Sequence, residues 1–448
     1  MRLGWAGLHH GTRVAWGVVR RDDRGAARLA ALEMRMAFQK LGPTYVKFGQ
    51  IIASSPAFGD ELVGEFAQCL DRVPAEGRAT VESTLRAELG DIESKFSHID
   101  WEPIAAGSIA QVFRATTIDG HDVVLKVQRT GLREILRTDL RLMVAGARTL
   151  LRLRPSLRAA NPVGVIEDFA QGLVDELNFS TEAGWMDELR EVLAPWPIRV
   201  PTVHHELTTE RVLVMEYLEG IKISDREGRA AMGVDSQKLI DTVFASVIYS
   251  ACRHGVFHGD MHAGNILVMP SGEVGLLDFG IVGRLEGQLR VQVSEMLKCL
   301  FEQEWDRMAP ICFEMADMTN VDMPSAVADL ADIGDRYLGM PLSEMPLGEM
   351  TGEILQNCNR YGFVLPTEIL LFFKSLLYLD GLGIRILPEY EVFSPENGMS
   401  LMPFLAPEIC GAPAHENPTY DFVHVLREVD EAFEPAAQED SMVVEGGR

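Results

Sequence analysis

Two carboxylates and an amide stand at a spacing suited to phosphoryl transfer from a nucleotide. Asp260 and Asn265 lie in His258-Gly-Asp-Met-His-Ala-Gly-Asn265-Ile-Leu-Val268, and Asp278 opens Asp278-Phe-Gly280 ten residues beyond that stretch. Such a reaction needs a carboxylate near the attacking oxygen, a part open to Asp260. It also needs oxygen ligands that hold magnesium against the phosphates, a part open to Asn265 with Asp278. Either cluster alone can arise by chance, the second as a turn after a strand. The two together at one separation are far more specific.

That separation is the work of a hairpin. The triplet Ile266 to Val268, the turn Pro270-Ser-Gly-Glu273 and the run Val274 to Leu277 predict two short strands that return Asp278 to the side of Asn265. Apolar residues at 239, 240, 243, 244, 247, 248 and 251 mark an amphipathic helix, Lys238 to Arg253, which would support the loop. His258 and His262 read as structural members of that loop, because a carboxylate already fills the role of base.

The elements that must face this loop come earlier. Trp101 to Ala106 and Ile109 to Thr116 predict strands around Ala105-Ala106-Gly107-Ser108, small residues that let backbone N–H groups approach a polyphosphate. An Asp119-Gly120 turn then leads to Val123-Val-Leu-Lys126-Val127. A lysine in an apolar strand needs an anion, either carboxylate or phosphate, unless the strand is an edge with its ammonium in water. After Asn161-Pro162 a helix is predicted over Val163 to Leu193; Glu176 on it is the first choice of partner for Lys126 and Glu182 the second. Arg211 to Gly220 predicts a buried strand ending in a polar hinge. Backbone groups of Glu216 to Leu218 could meet an adenine edge there, although a linker would look the same. From Ala26 to about Leu89 the pattern is helical, with breaks at Gly42-Pro43 and Ser55-Pro56. Lys47-Phe-Gly-Gln50, inside it, is by itself a helix segment with a solvated lysine.

Composition narrows the field. At 448 residues, 47% hydrophobic and 24% charged, the chain has room for two or three globular domains. Its net charge of -25 disfavours non-specific contact with nucleic acid, or with anionic lipid over most of the surface. The six cysteines form no CxxC pair, which argues against a zinc site or a disulfide framework. Phe363 to Ile384 is apolar but interrupted by Glu368, Lys374, Asp380 and a proline, so a buried helix pair is expected there rather than a membrane span. No signal-peptide pattern opens the sequence, and a cytoplasmic location is expected. Residues 1 to 25, basic and carrying Trp5 and Trp16, could rest on a membrane surface or pack on the protein's own body. The last sixty or so residues are rich in Pro, Gly, Glu and Asp, with disorder expected after about Glu434.

Taken together these residues resemble the UbiB (AarF) family of atypical, protein-kinase-like kinases. Lys47-Phe-Gly-Gln50 matches the family's KxGQ motif, Ala105-Ala-Gly-Ser-Ile-Ala-Gln-Val112 its alanine-rich loop, and Lys126 its strand lysine. Glu176-Leu-Asn178 stands near its ExD motif, His258 to Asn265 matches its catalytic loop, and Asp278 to Gly280 its metal-binding loop. The match runs from about residue 28 to 390. Asn178 replaces the ExD aspartate, and Gly107 stands where a third alanine is more usual. Loss of a unit charge about 4 Å from another forfeits roughly 4 kcal/mol at an effective dielectric of 20, so Asn178 is expected to alter metal affinity or nucleotide preference.

The resemblance implies an α+β, protein-kinase-like two-lobe fold with ATP or ADP and Mg2+ between the lobes. Its parts would be an N-terminal helical extension (1–95), an N-lobe with inserted helices (96–219), a mostly helical C-lobe (220–388) and an acidic tail (389–448). Lys47 and Gln50 would close the pocket from the extension. Lys126 would grip the α and β phosphates, fixed by Glu176, under the loop of Ala105, Ala106, Gly107 and Ser108. Isoprenoid or quinone lipid metabolism, partner enzymes of lipid synthesis and peripheral membrane contact are the implied setting. Two rival readings stand beside it: a small-molecule phosphotransferase of aminoglycoside or choline kinase type, and a nucleotide-gated scaffold that does not turn over ATP.

Overall fold

A computed structural model describes residues 23–54, 60–66, 75–153, 177–302, 304–315, 323–337 and 366–387, with positions 166, 169, 170, 173, 353 and 361. Residues 1–22 and the tail from 388, on which membrane contact and disorder were expected, lie outside them. The chain forms two compact units. The first runs to Leu239 and adds His258–Val282 and Lys374–Leu379; the second comprises Ile240–Phe257, Gly283–Phe373 and the residues from Asp380 on.

In the first unit the predicted break at Gly42-Pro43 separates α1 (Asp23–Leu41) from α2 (Pro43–Ser54), and a short α3 (Asp60–Phe66) follows. Gly42 at φ 124° makes the turn. Phe38, Phe48 and Phe66 join these helices ring to ring, and Phe48 reaches Phe169 at 5.0 Å. The hydroxyl of Thr44 donates to Asp139 at 2.7 Å, tying α2 to a later helix. α4 (Arg78–Leu89) then covers one face of a sheet.

That sheet has the order β1-β3-β4-β6, with β2 added beside β3. Its strands are β1 (Phe96–Ile99), β2 (Ala105–Ala106), β3 (Ala110–Thr117), β4 (Asp122–Gln128) and β6 (Val212–Glu216); β5 (Ile198–Arg199) belongs to a second sheet. The expected strand Trp101 to Ala106 shrinks to β2, whereas β1 had no sequence forecast. Alternation with period two puts Val123, Leu125 and Val127 on one face, against Phe113, Val212, Val214, Val81 and Leu85. Each such side chain, fully buried, contributes about 1.5–3 kcal/mol. Lys126 therefore points to the opposite face. It pairs with Val112 on one side and Leu213 on the other, so β4 is central and the edge-strand alternative does not hold.

After α5 (Leu132–Leu153), the expected helix Val163 to Leu193 is interrupted: α6 (Phe179–Val192) begins afresh with Asn178 as its N-cap. The Asn178 side-chain oxygen accepts from the Ser180 N–H at 3.1 Å. A short polar side chain that competes for nearby backbone N–H groups starts a helix rather than continuing one.

The second sheet carries the predicted hairpin, β9 (Ile266–Val268) and β10 (Val274–Leu276), flanked by β5 and by β7 (Ile221–Lys222) in the order β5-β10-β9-β7. Its turn is closed by Met269 N–H to Glu273 O at 2.9 Å, with Gly272 at φ 84°.

α7 (Arg226–Met232) precedes α8 (Ser236–Tyr249), the forecast supporting helix, which a π-helical turn extends through His254 before β8 (Val256–His258). β8 pairs with β11 (Val282–Arg284), and the described elements that follow are helical, with α9 (Gly287–Glu302) packed on α10 (Trp305–Met315) and α10 on α11 (Met323–Tyr337). The apolar stretch near residue 370 forms one helix, α12 (Thr367–Ile386), not a pair. Among the described residues no helix is long and apolar enough to cross a membrane.

Candidate active site

The face of the first sheet turned away from its core presents Lys126. Its ammonium donates to both oxygens of Glu182, at 2.7 and 3.0 Å, and to Asp278 Oδ1 at 2.7 Å. The described carboxylates around Lys126 are thus the second-choice Glu182, one turn into α6, and Asp278. The first choice, Glu176, lies outside the described residues. Burial alone would depress Lys126, but Asp278 and Glu182 more than reverse this and hold its pKa above the usual range. Lys126 also holds Asp278 well below the carboxylate range. Glu182 goes the other way, raised first by burial and further by the charge of Asp278, because one ammonium serves two carboxylates.

Asp278 reaches this position by a backbone that few residues adopt. It has φ 52°, and among the described residues no other non-glycine has positive φ. A residue held this way costs roughly 1–2 kcal/mol. The hairpin supplies the constraint: Leu277 N–H donates to Asn265 O at 2.8 Å, which sets residue 278 beside 265. The Asn265 amide nitrogen donates to Asp260 O at 3.0 Å, leaving its oxygen as the arm for a ligand. An amide oxygen next to a carboxylate is a hard-donor pair that fits magnesium. Among the described residues no cluster of three or more His, Cys, Asp or Glu could hold a metal. A cation at Asn265 and Asp278 would therefore complete its shell from phosphate and water, as magnesium commonly does.

The loop between β8 and β9 is fastened by its histidines. His258 Nδ1 accepts from Asp260 N–H at 3.1 Å, and its Nε2 then donates to Leu277 O at 3.1 Å. With both nitrogens engaged and burial lowering its pKa, this ring is a brace. His262 Nδ1 accepts from Gly264 N–H at 2.9 Å, which leaves the proton on Nε2, 3.6 Å from Asp260 Oδ2. A Cβ on Gly264 would sit 2.6 Å from the His262 ring and would displace it. The other oxygen of Asp260 takes a bond from Lys374 at 3.3 Å. Lys374 was missed as a site residue. The signal was nonetheless present, since it is the sole Lys or Arg between residues 363 and 384.

The remaining expected residues lie on the first sheet, on the loops at its strand ends and on α2. Ala105 and Ala106 form β2 against Gln111 and Val112, and Gly107 N–H closes a tight turn onto Ala110 O at 2.9 Å. Arg129 Nε donates to Gly107 O at 2.8 Å, a bond that fixes the loop; Ser108 is buried beneath it. At the hinge, Glu216 N–H and Tyr217 N–H are committed to Thr202 O and Asp122 O, and the Glu216 carboxylate to Arg199. Glu216 is thereby removed as a backbone donor to a ligand, which leaves Leu218 of the expected pair. Lys47 on α2 contributes to the lowering of Asp278, which places its charge near that carboxylate. The side chain of Gln50 lies outside the described residues.

Comparison with known proteins bears on this arrangement. Residues 68–312 match the family model of the ABC1 atypical kinase-like domain, and residues 330–391 that of the UbiB helical domain. An uncharacterized protein of Mycobacterium tuberculosis is 36% identical over 370 residues, 81% of this chain and 76% of that one. A probable protein kinase UbiB of Shewanella loihica is 31% identical over 383 residues, 83% of this chain and 69% of its own. Among solved structures, a Mycobacterium tuberculosis protein in complex with erythromycin is similar with a TM-score of 0.55 at 21% identity, over 76% of this chain and 85% of that one. That likeness extends to the fold.

Proposed function

The chain belongs to the ABC1 (UbiB, AarF) family of atypical kinase-like proteins, with the α+β kinase-like fold that goes with it, and we propose that it binds a magnesium nucleotide and cleaves the terminal phosphoryl bond. The observation that carries the proposal is the Lys126 ammonium held between Glu182 and Asp278 at 2.7 Å from each. Glu182 fixes Lys126 so that it meets the α and β phosphates. Ala105 to Ser108 cover the phosphates, with Lys47 and Gln50 closing the pocket from α2. Asn265 and Asp278 would hold Mg2+, which supplies charge neutralisation across the phosphates. Asp260 orients the attacking oxygen or accepts its proton.

Asn178 bears on the choice between an enzyme and a scaffold that does not turn over nucleotide. Its oxygen caps α6, a task asparagine and aspartate perform about equally, so exchange of one for the other conserves the structural part of the motif. The charge that the exchange removes is what keeps the scaffold reading in contention. The acceptor is water or a group in isoprenoid or quinone lipid metabolism, a setting supported by the family resemblance and the UbiB name of its relatives. Phosphate release by the wild type and by Asp260→Asn, with and without lipid vesicles and an isoprenoid-phenol additive, tests the reading. Release that depends on Asp260 and rises with the additive is expected. Equal background release from both proteins would point to the scaffold, and turnover of aminoglycosides or choline to the small-molecule phosphotransferase.

A further inference from the structure

Asp260 does not stand alone. Lys374 donates to its Oδ1 at 3.3 Å, and His262 Nε2 faces its Oδ2 at 3.6 Å. Tyr378, one turn after Lys374 on α12, completes the ring: the Lys374 ammonium lies 5.3 Å from its centroid, and the His262 ring meets it edge-on at 6.3 Å. Ser375, adjacent to Lys374, donates to His258 O at 3.2 Å, so the same helical turn also grips the start of the loop. Each member of this ring has two partners within it. One oxygen of the carboxylate is thus bonded to an ammonium, and the other faces an imidazole N–H at 3.6 Å, beyond direct hydrogen-bond reach.

We propose that Lys374 is a positioning residue for Asp260, and that the turn Lys374–Tyr378 of α12 is what holds the loop in its working geometry. The inference rests on the phosphoryl-transfer reading for its consequence in catalysis, but its structural half stands apart from it. Lys374 offers three donors on a flexible stem, of which Asp260 uses one, so the ammonium can keep hold of the carboxylate while that side chain meets an acceptor. With a methylene stem in its place, Asp260 keeps its charge and loses its direction. A misplacement of about 1 Å at a reacting group costs on the order of 100-fold in rate.

The test uses the full chain with Lys374→Met and Lys374→Arg. Amide hydrogen exchange across residues 258–265 reads positioning without reference to turnover. Faster exchange in Lys374→Met, restored to the wild-type rate in Lys374→Arg, is expected; unchanged exchange in Lys374→Met overturns the proposal. Turnover reads the consequence: kcat for phosphate release should fall about 10- to 100-fold in Lys374→Met while KM for ATP stays within about threefold, and arginine should recover part of the loss. In an Asp260→Asn background the Lys374→Met change should have no further effect, whereas additive losses would contradict a role exercised through Asp260. Faster exchange together with an inactive wild type would support the positioning role and count against phosphoryl transfer, so the two failures are told apart.

Discussion

Two lysine–carboxylate contacts, both within the first unit, are built to different standards. Lys126 and Glu182 are 13% and 4% exposed and meet through two bonds of 2.7 and 3.0 Å; Lys374 and Asp260 are 24% and 22% exposed and meet through one of 3.3 Å. The first pair sits on a central strand and the first turn of a capped helix, the second on a loop and a late helix. A buried ion pair with every donor aimed is rigid and costly to break. A half-buried pair with one long bond can yield to a ligand without a large penalty. On the proposed reading the first pair supplies the fixed charge that grips the phosphates, and the second a carboxylate that can still meet an acceptor.

The contrast is sharpest for Asp260→Asn. Loss of the carboxylate should reduce phosphate release about 100- to 10,000-fold while leaving ATP affinity nearly unchanged, as a steady-state assay paired with calorimetry will show. An equal loss in affinity would mean that the two clusters are one.

A third carboxylate tests what a lysine partner does for the other two. Asp380, buried in α12 within the second unit, has no hydrogen-bond partner for Oδ1 among the described residues, and burial pushes its pKa up to about 7. Because the folded form binds this proton more tightly than the unfolded chain does, stability contributed by protonated Asp380 is present at acid pH and is lost as pH rises from about 4 through 7. Asp278, lowered by Lys126, has the opposite sign: its contribution is present above about pH 4 and is lost as pH falls further. Thermal melts should therefore show Tm declining from pH 5 to 8, and Asp380→Asn should flatten that decline. A slope unaffected by the substitution would assign it elsewhere.

Smaller effects follow at the loop and the cap. Gly107 is not among the glycines of positive φ, so Gly107→Ala can fold without backbone strain, and it should shift the ATP-to-ADP affinity ratio by a few fold through the stiffer loop. An unchanged ratio in paired titrations would retire that role. Asn178→Asp should alter stability by less than about 1 kcal/mol in denaturant unfolding, since both residues cap.

The chemistry of this site was legible where it was local. Alternation and turn residues located the hairpin that sets Asp278 beside Asn265, and β-branched residues around Lys126 marked its strand. Three features were not. β1 and β2 are too short for a periodic signal to separate from the loops beside them. The helix forecast over 163 to 193 ran through Asn178 because apolar spacing continued across the cap. The partners of Lys126 and Asp260 lie 56 and 114 residues away, distances over which charge alone does not rank one carboxylate or lysine above another. The sequence ranked Glu176 above Glu182; the start of α6 at Phe179 is what puts Glu182 in the first turn of that helix.

On the proposed reading, Lys126, Asn265 and Asp278 grip one magnesium nucleotide. Calorimetric titration of ATP into wild type, Lys126→Met and Asp278→Asn, each with and without Mg2+, tests it most directly. Binding to wild type that strengthens with Mg2+, an affinity about 100-fold weaker in Lys126→Met, and loss of the Mg2+ dependence in Asp278→Asn are expected. Binding of equal strength in all three proteins, indifferent to Mg2+, would contradict it.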